Sequence, residues 1–319
     1  TTGSQNTACG EGALSANTSA DNNTAVGFQA LEENTTGASN VAVGSFALDA
    51  NTTASQNTAI GHDVLSANIT GERNTGLGAF SLQSNTTGAN NTALGAGALQ
   101  SNFTASNNTA IGEDSLKLNT TGTQNTSVGA LSLDANTTGS QNTACGEGAL
   151  SKNTTASNNT GIGFQALVEN TTGSECTAVG ANALDANTTA TNNTAVGYLA
   201  LTSTQTGASN TAVGRSSLAN NTASNNTAVG NSAMLANTTG TFNVAVGANA
   251  LDANTTANEN RGVGYAVLTS NTTGASNVGM GSLALESNTT ASNNTAIGTS
   301  ALKANTTGTQ NTAVGAVSL

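Results

Sequence analysis

The stretch GSQNTACGEGALS, Gly3–Ser15, returns letter for letter at Gly139–Ser151. The copies lie 136 positions apart, which is 8 × 17. A catalytic segment gains nothing from such duplication, whereas a building unit does. Self-alignment yields the unit N-T-A-V-G-x-x-A-L-x-x-N-T-T-G-x-x, begun 19 times between Asn6 and Asn311. Only the copy from Asn210 is one residue short. Positions in the unit are called slots 1 to 17 below. Self-similarity at this period marks a solenoid, whose coils bury a core only by stacking.

Composition agrees. Aromatic residues make up 3% and charged residues 7%, with no Pro and no Trp, so two ordinary globular cores cannot be built from 319 residues. The strict apolar register excludes low-complexity disorder. A net charge of −11 with six Lys and Arg excludes a nucleic-acid partner. No apolar run reaches a membrane span, so no membrane insertion is expected. No secretory leader opens the chain, and the expectation is a mature or partial protein.

Seventeen residues are too few for a helical hairpin, and Gly and Asn weaken helices. β-Branched residues and Thr favour strands. The expected fold is all-β, a parallel β-solenoid (β-roll) of about 19 coils over 1–319, one array without separate domains, each coil carrying two or three short strands. Slot 5 is Gly in every copy: Gly10, Gly27, Gly44, Gly61, Gly78, Gly95, Gly112, Gly129, Gly146, Gly163, Gly180, Gly197, Gly214, Gly230, Gly247, Gly264, Gly281, Gly298 and Gly315. That invariance marks a structural corner needing positive φ or close backbone approach. Slot 4 is always apolar or Cys, and slot 9 is Leu apart from Met234, so both are expected in the core. Cys9 and Cys145 occupy slot 4 and read as small buried hydrophobes. Cys176 replaces a slot 1 Asn and is expected to be more exposed. Slot 1 suits an amide ladder between coils.

Slot 3 is Ala in 14 copies, Gly in four and Ser127 in one. If slot 4 points inward, alternation turns slot 3 outward. Its smallness then predicts crowding by another chain, hence lateral association, or by a second internal sheet.

Tandem units such as NTAVGFQALEENTTG (Asn23–Gly37) and NTAIGTSALKANTTG (Asn294–Gly308) resemble those of bacterial and phage tail-fibre-like and surface-fibre proteins. The core N-x-A-[VI]-G-x-x-A is similar to the β-roll heads of trimeric autotransporter adhesins. The resemblance spans Asn6 to Leu319 and implies an elongated extracellular or cell-surface fibre, often of three chains. The 17-residue period departs from the shorter adhesin-head period. Neither end shows a polar cap, so the chain is expected to be a segment of a longer fibre or to stack end to end.

The strongest chemical motif is the N-glycosylation sequon. Slot 12 is read as offering it at Asn17, Asn34, Asn51, Asn68, Asn85, Asn102, Asn119, Asn136, Asn153, Asn170, Asn187, Asn220, Asn237, Asn254, Asn271, Asn288 and Asn305. Thr204 is the exception. The competing reading of these sites is a sugar-free Asx turn. Seven more sequons straddle the unit boundary, including Asn22, Asn90, Asn107 and Asn158.

No catalytic, cofactor or metal constellation emerges, and a non-enzymatic role is expected. His62 with Asp63 is not repeated in any other copy, and Asp49, Asp134, Asp185 and Asp252 share slot 10 without occupying adjacent coils. Three functions remain: a self-associating structural fibre, an adhesin contacting a surface or glycan through the variable slots 6 and 7, and an ice-binding protein using Thr-rich faces. Phe28, Phe46, His62, Phe80, Phe164, Tyr198, Arg215 and Tyr265 lie at those variable slots.

Overall fold

A computed structural model describes residues 2–319. The chain divides into two compact units, Thr1–Asn159 and Thr160–Leu319. In the first, nine three-residue strands run from Thr7–Cys9 to Thr143–Cys145. In the second, ten run from Thr160–Ile162 to Thr312–Val314. Every strand covers slots 2 to 4. Neighbouring strands within a unit pair in parallel and in register, as in Thr24↔Val41, Ala25↔Ala42 and Val26↔Val43, or Thr177↔Thr194, Ala178↔Ala195 and Val179↔Val196. Each unit is a parallel β-solenoid. The one-residue shortening is absorbed without slippage, because Thr211 still pairs with Thr227.

Each coil holds one strand rather than two or three. The rest is turns whose peptide groups bond to the neighbouring coil: Leu31 N–H reaches Ala47 O at 3.0 Å and Thr35 N–H reaches Thr52 O at 2.9 Å. Leu at slot 9 adopts positive φ, 53° at Leu65 and 56° at Leu167. This conformation disfavours a bulky residue, and stacking within the buried Leu column holds it in place.

The slot 5 corner follows the expectation. Gly163 has φ +129°, and a Cβ there would lie 2.6 Å from the carbonyl carbon of Gly180 in the next coil. Positive φ and backbone contact both demand glycine at that corner.

The strand face is the reverse of the expected one. Slot 3 points inward and slot 4 outward: Ala59 is fully buried, whereas Ile60 is 38% exposed. Slot 3 is small because the coil interior is thin, not because another chain crowds it. It faces slot 8 across that interior, and Leu at slot 9 fills the remaining width. The core therefore consists of Ala, Leu and two columns of Asn.

Candidate functional site: an outward strand face and two asparagine columns

Alternation along a strand places slots 2 and 4 on one side. The outer face therefore carries a half-buried Thr column beside an exposed β-branched or aliphatic column, including Val26, Ile60, Leu77 and Ile111 in the first unit. The cysteines correct accordingly. Cys9 and Cys145 are exposed on this face and Cys176 is buried, the opposite of expectation for all three. Cys176 takes the inward slot 1, its Sγ lying 3.3 Å from the carbonyl oxygen of Ala190, and burial pushes its thiol pKa up. In the second unit Arg261 stands at slot 2, exposed on the outer face.

Both Asn columns run inside the coils. At slot 1 the Oδ1 of Asn23 accepts the backbone N–H of Asn40 at 2.9 Å, while Nδ2 of Asn23 donates to the Gly37 carbonyl at 2.9 Å. At slot 12 the amides bond to one another: Asn51 Nδ2 donates to Asn34 Oδ1, and Asn68 Nδ2 to Asn51 Oδ1. Slot 12 also donates to the slot 15 carbonyl, so Gly37 O accepts from both Asn23 and Asn34. Burial of so many amides is tolerable only because they are paired.

That geometry corrects the sequon assignment. Asn34, Asn51, Asn68, Asn85, Asn102, Asn119, Asn136, Asn153, Asn170, Asn187, Asn237, Asn254, Asn271 and Asn288 are fully buried, so a glycan on Nδ2 is incompatible with the folded coil. Asn17 and Asn305 are half-buried, each donating to its slot 15 carbonyl. Asn220 is exposed and lies one place before the column. Asn221 takes slot 12 there, accepting Asn237 Nδ2 at 2.6 Å. The exposed sequons are instead those at slot 17, Asn22, Asn90, Asn107 and Asn158 among them. In the second unit the column breaks at Thr204, which donates its hydroxyl to Asn221 O at 2.7 Å. It offers Asn187 no amide, and Asn187 Oδ1 is buried without a partner.

Slots 6 and 7 form the edge beside the outer face. Phe28, Phe46, His62 and Phe80 meet edge to face on four successive coils, with centroid separations of 5.3, 6.0 and 5.4 Å. His62 Nδ1 lies 3.6 Å from Asp63. At slot 10, Asp185 accepts the Thr202 hydroxyl, and Asp252 accepts that of Thr269 at 2.5 Å. Asp49 and Asp134 each keep one buried oxygen unpaired. Burial raises the pKa of both carboxyls, that of Asp49 to about 6. Among the described residues no His, Cys, Asp and Glu group is arranged to hold a metal, and no helix is long and apolar enough to cross a membrane. No protein-family model matches the chain, and no curated protein matches it.

Sequence reasoning missed the slot 12 column because its Asn-x-Thr pattern coincides with a sequon. It also missed the inward strand face, although a signal was present. Val at slot 8 occurs only at Val64 and Val267, and a slot 3 Gly follows each in the next coil, Gly76 and Gly279.

Proposed function

We propose that this chain is a non-enzymatic structural element of an extracellular or cell-surface fibre, associating with other copies through its strand face. One observation carries the reading. Each unit ties its coils together internally, by register pairing and two amide columns, yet directs an uncharged column of Val, Ile, Leu, Met and Cys side chains outward at slot 4. Exposed contiguous apolar surface on a polar protein is the mark of an interaction site. Electron microscopy and sedimentation of the purified chain test it: rods that pair or bundle as concentration rises are expected. Dispersed monomers at every concentration would contradict it.

Ice binding is the second reading, favoured by the same columns. Thr at slot 2 and Val or Ile at slot 4 repeat at about 4.8 Å along the stack and about 6.7 Å across it, a rigid two-dimensional array. Thermal hysteresis at micromolar protein, abolished by Ile60→Lys, would establish it in place of the fibre.

A further inference from the structure

We infer that the outer face of the first unit pairs with the same face of a second copy, in antiparallel register, setting the Cys9 coil against the Cys145 coil. The inference rests on the fibre reading and names its contact.

The occupant follows from charge and period. Within Thr1–Asn159 no charged residue occupies slot 2 or slot 4, although Asp and Glu outnumber Lys and Arg there by 11 to 3. Burying the face therefore desolvates no charge. In the second unit Arg261 sits on the equivalent face. A second copy also repeats at the same coil spacing, so side chains interleave on every coil without accumulating mismatch. Partners lacking that period lose register after a few coils.

The register follows from symmetry. A two-fold axis lying along the strand direction keeps slot 4 on slot 4, apolar against apolar. An axis along the stack and centred on slot 3 would set slot 4 against the Thr column instead. With the axis at the fifth coil, Leu77 meets its own mate, Ile60 meets Leu94, Val43 meets Ile111, and Cys9 meets Cys145. The same operation brings the edge residues Phe28 and His62 opposite Ala130 and Ala96, Phe46 opposite Asp114, and Phe80 opposite its own mate. The two thiol coils carry the identical 13-residue stretch, so both ends of the paired surface are chemically alike.

The footprint sets the strength. Nine coils at about 4.8 Å give a face about 43 Å long. At a width of about 10 Å it buries on the order of 900 Å² over both copies, the range of weak, transient interfaces. Packed sheets lie about 10 Å apart, too far for a direct disulfide, which needs Cα atoms within about 7 Å. A short bismaleimide spans the gap.

The experiment treats the full chain with a short bismaleimide at tens of micromolar and resolves monomer from dimer, with sedimentation in parallel. Expected are a concentration-dependent dimer and a Cys9–Cys145 cross-link by peptide mass spectrometry. Cys9→Ser alone and Cys145→Ser alone each abolish the cross-link, because each link needs both sites. Ile60→Lys with Leu77→Lys abolishes the dimer at unchanged circular dichroism, whereas Thr36→Lys, at exposed slot 14, leaves it intact. Cross-linking retained in either single Cys variant overturns the antiparallel register. A monomer at all concentrations, or a dimer indifferent to the Lys pair, overturns the interface. Copies that bundle through the strand face without a Cys9–Cys145 cross-link overturn this inference and leave the fibre reading standing. Monomers that form neither overturn both.

Discussion

Val64 and Gly76 fill one space. A Cβ on Gly76 would lie 2.5 Å from Cγ1 of Val64, across the thin interior between slot 8 of one coil and slot 3 of the next. Gly279 stands in the same relation to Cγ2 of Val267, again at 2.5 Å. The core is therefore a size-matched contact between two columns, with Ala against Ala as its usual solution.

A double-mutant cycle measures that match. Gly76→Ala should destabilise by about 1–3 kcal/mol through overpacking, and Val64→Ala by about 1–2 kcal/mol through the space left. Together they recreate the Ala–Ala pair, and the double variant should melt close to the parent. A coupling of on the order of 2 kcal/mol in chemical denaturation is expected. Additive losses would place slot 3 elsewhere.

The break at Thr204 offers a repair. Asn187 Oδ1 is buried without a donor, and the cost of such an orphan is about 1–3 kcal/mol. Thr204→Asn should supply the missing amide and continue the column toward Asn221, at the loss of one hydroxyl bond to Asn221 O. Net stabilisation of about 1 kcal/mol is expected in thermal melts. Asn85→Ala, within the intact column, should destabilise by about 2 kcal/mol, because Asn68 Oδ1 then loses its donor.

How much of this was legible in the residues is clear from Ile60 and Asn51. The period, the parallel stacking and the Gly corner followed from self-alignment, because each copy reports independently on the same slot. The inside and outside of the strand did not. β-Branched slot 4 is the more hydrophobic position, and hydrophobicity is normally the guide to burial. Here the interior is too thin for two large columns, and Leu at slot 9 already fills it. Asn51 misled for a related reason: a buried amide column and a glycosylation motif both demand Asn with Thr nearby. In the coil Thr52 donates its hydroxyl outward along the stack, to Ile69 O at 3.4 Å.

Peptide mass spectrometry of native material decides that ambiguity. Slot 12 residues from Asn34 to Asn288 should be unmodified wherever the side chain is buried. Any sugar should map to Asn220 or to slot 17, at residues such as Asn90 and Asn107. Glycan on Asn85 or Asn102 in folded protein would contradict the amide column.

Asp49 makes stability depend on pH. Burial raises its carboxyl from 3.8 to about 6, with Asp63 and Glu32 adding repulsion. The folded state thus holds the proton more tightly than the unfolded chain. This contribution is fully present below about pH 4 and is lost as pH rises through about 6. Asp49→Asn should raise stability at pH 7 by on the order of 1 kcal/mol and change little at pH 4, partial exposure limiting the gain. Melting both proteins from pH 4 to 8 checks the sign.

Slots 2 and 4 of each strand face outward while slots 1 and 3 face the core. The three cysteine thiols report on it directly, since Cys9 and Cys145 sit at slot 4 and Cys176 at slot 1. Native protein should be treated with a maleimide for minutes, quenched, unfolded and digested, and the modified cysteines counted. Modification of Cys9 and Cys145, with Cys176 reacting only after unfolding, is the predicted result. Rapid labelling of Cys176 with Cys145 protected would turn the strand over and contradict the account.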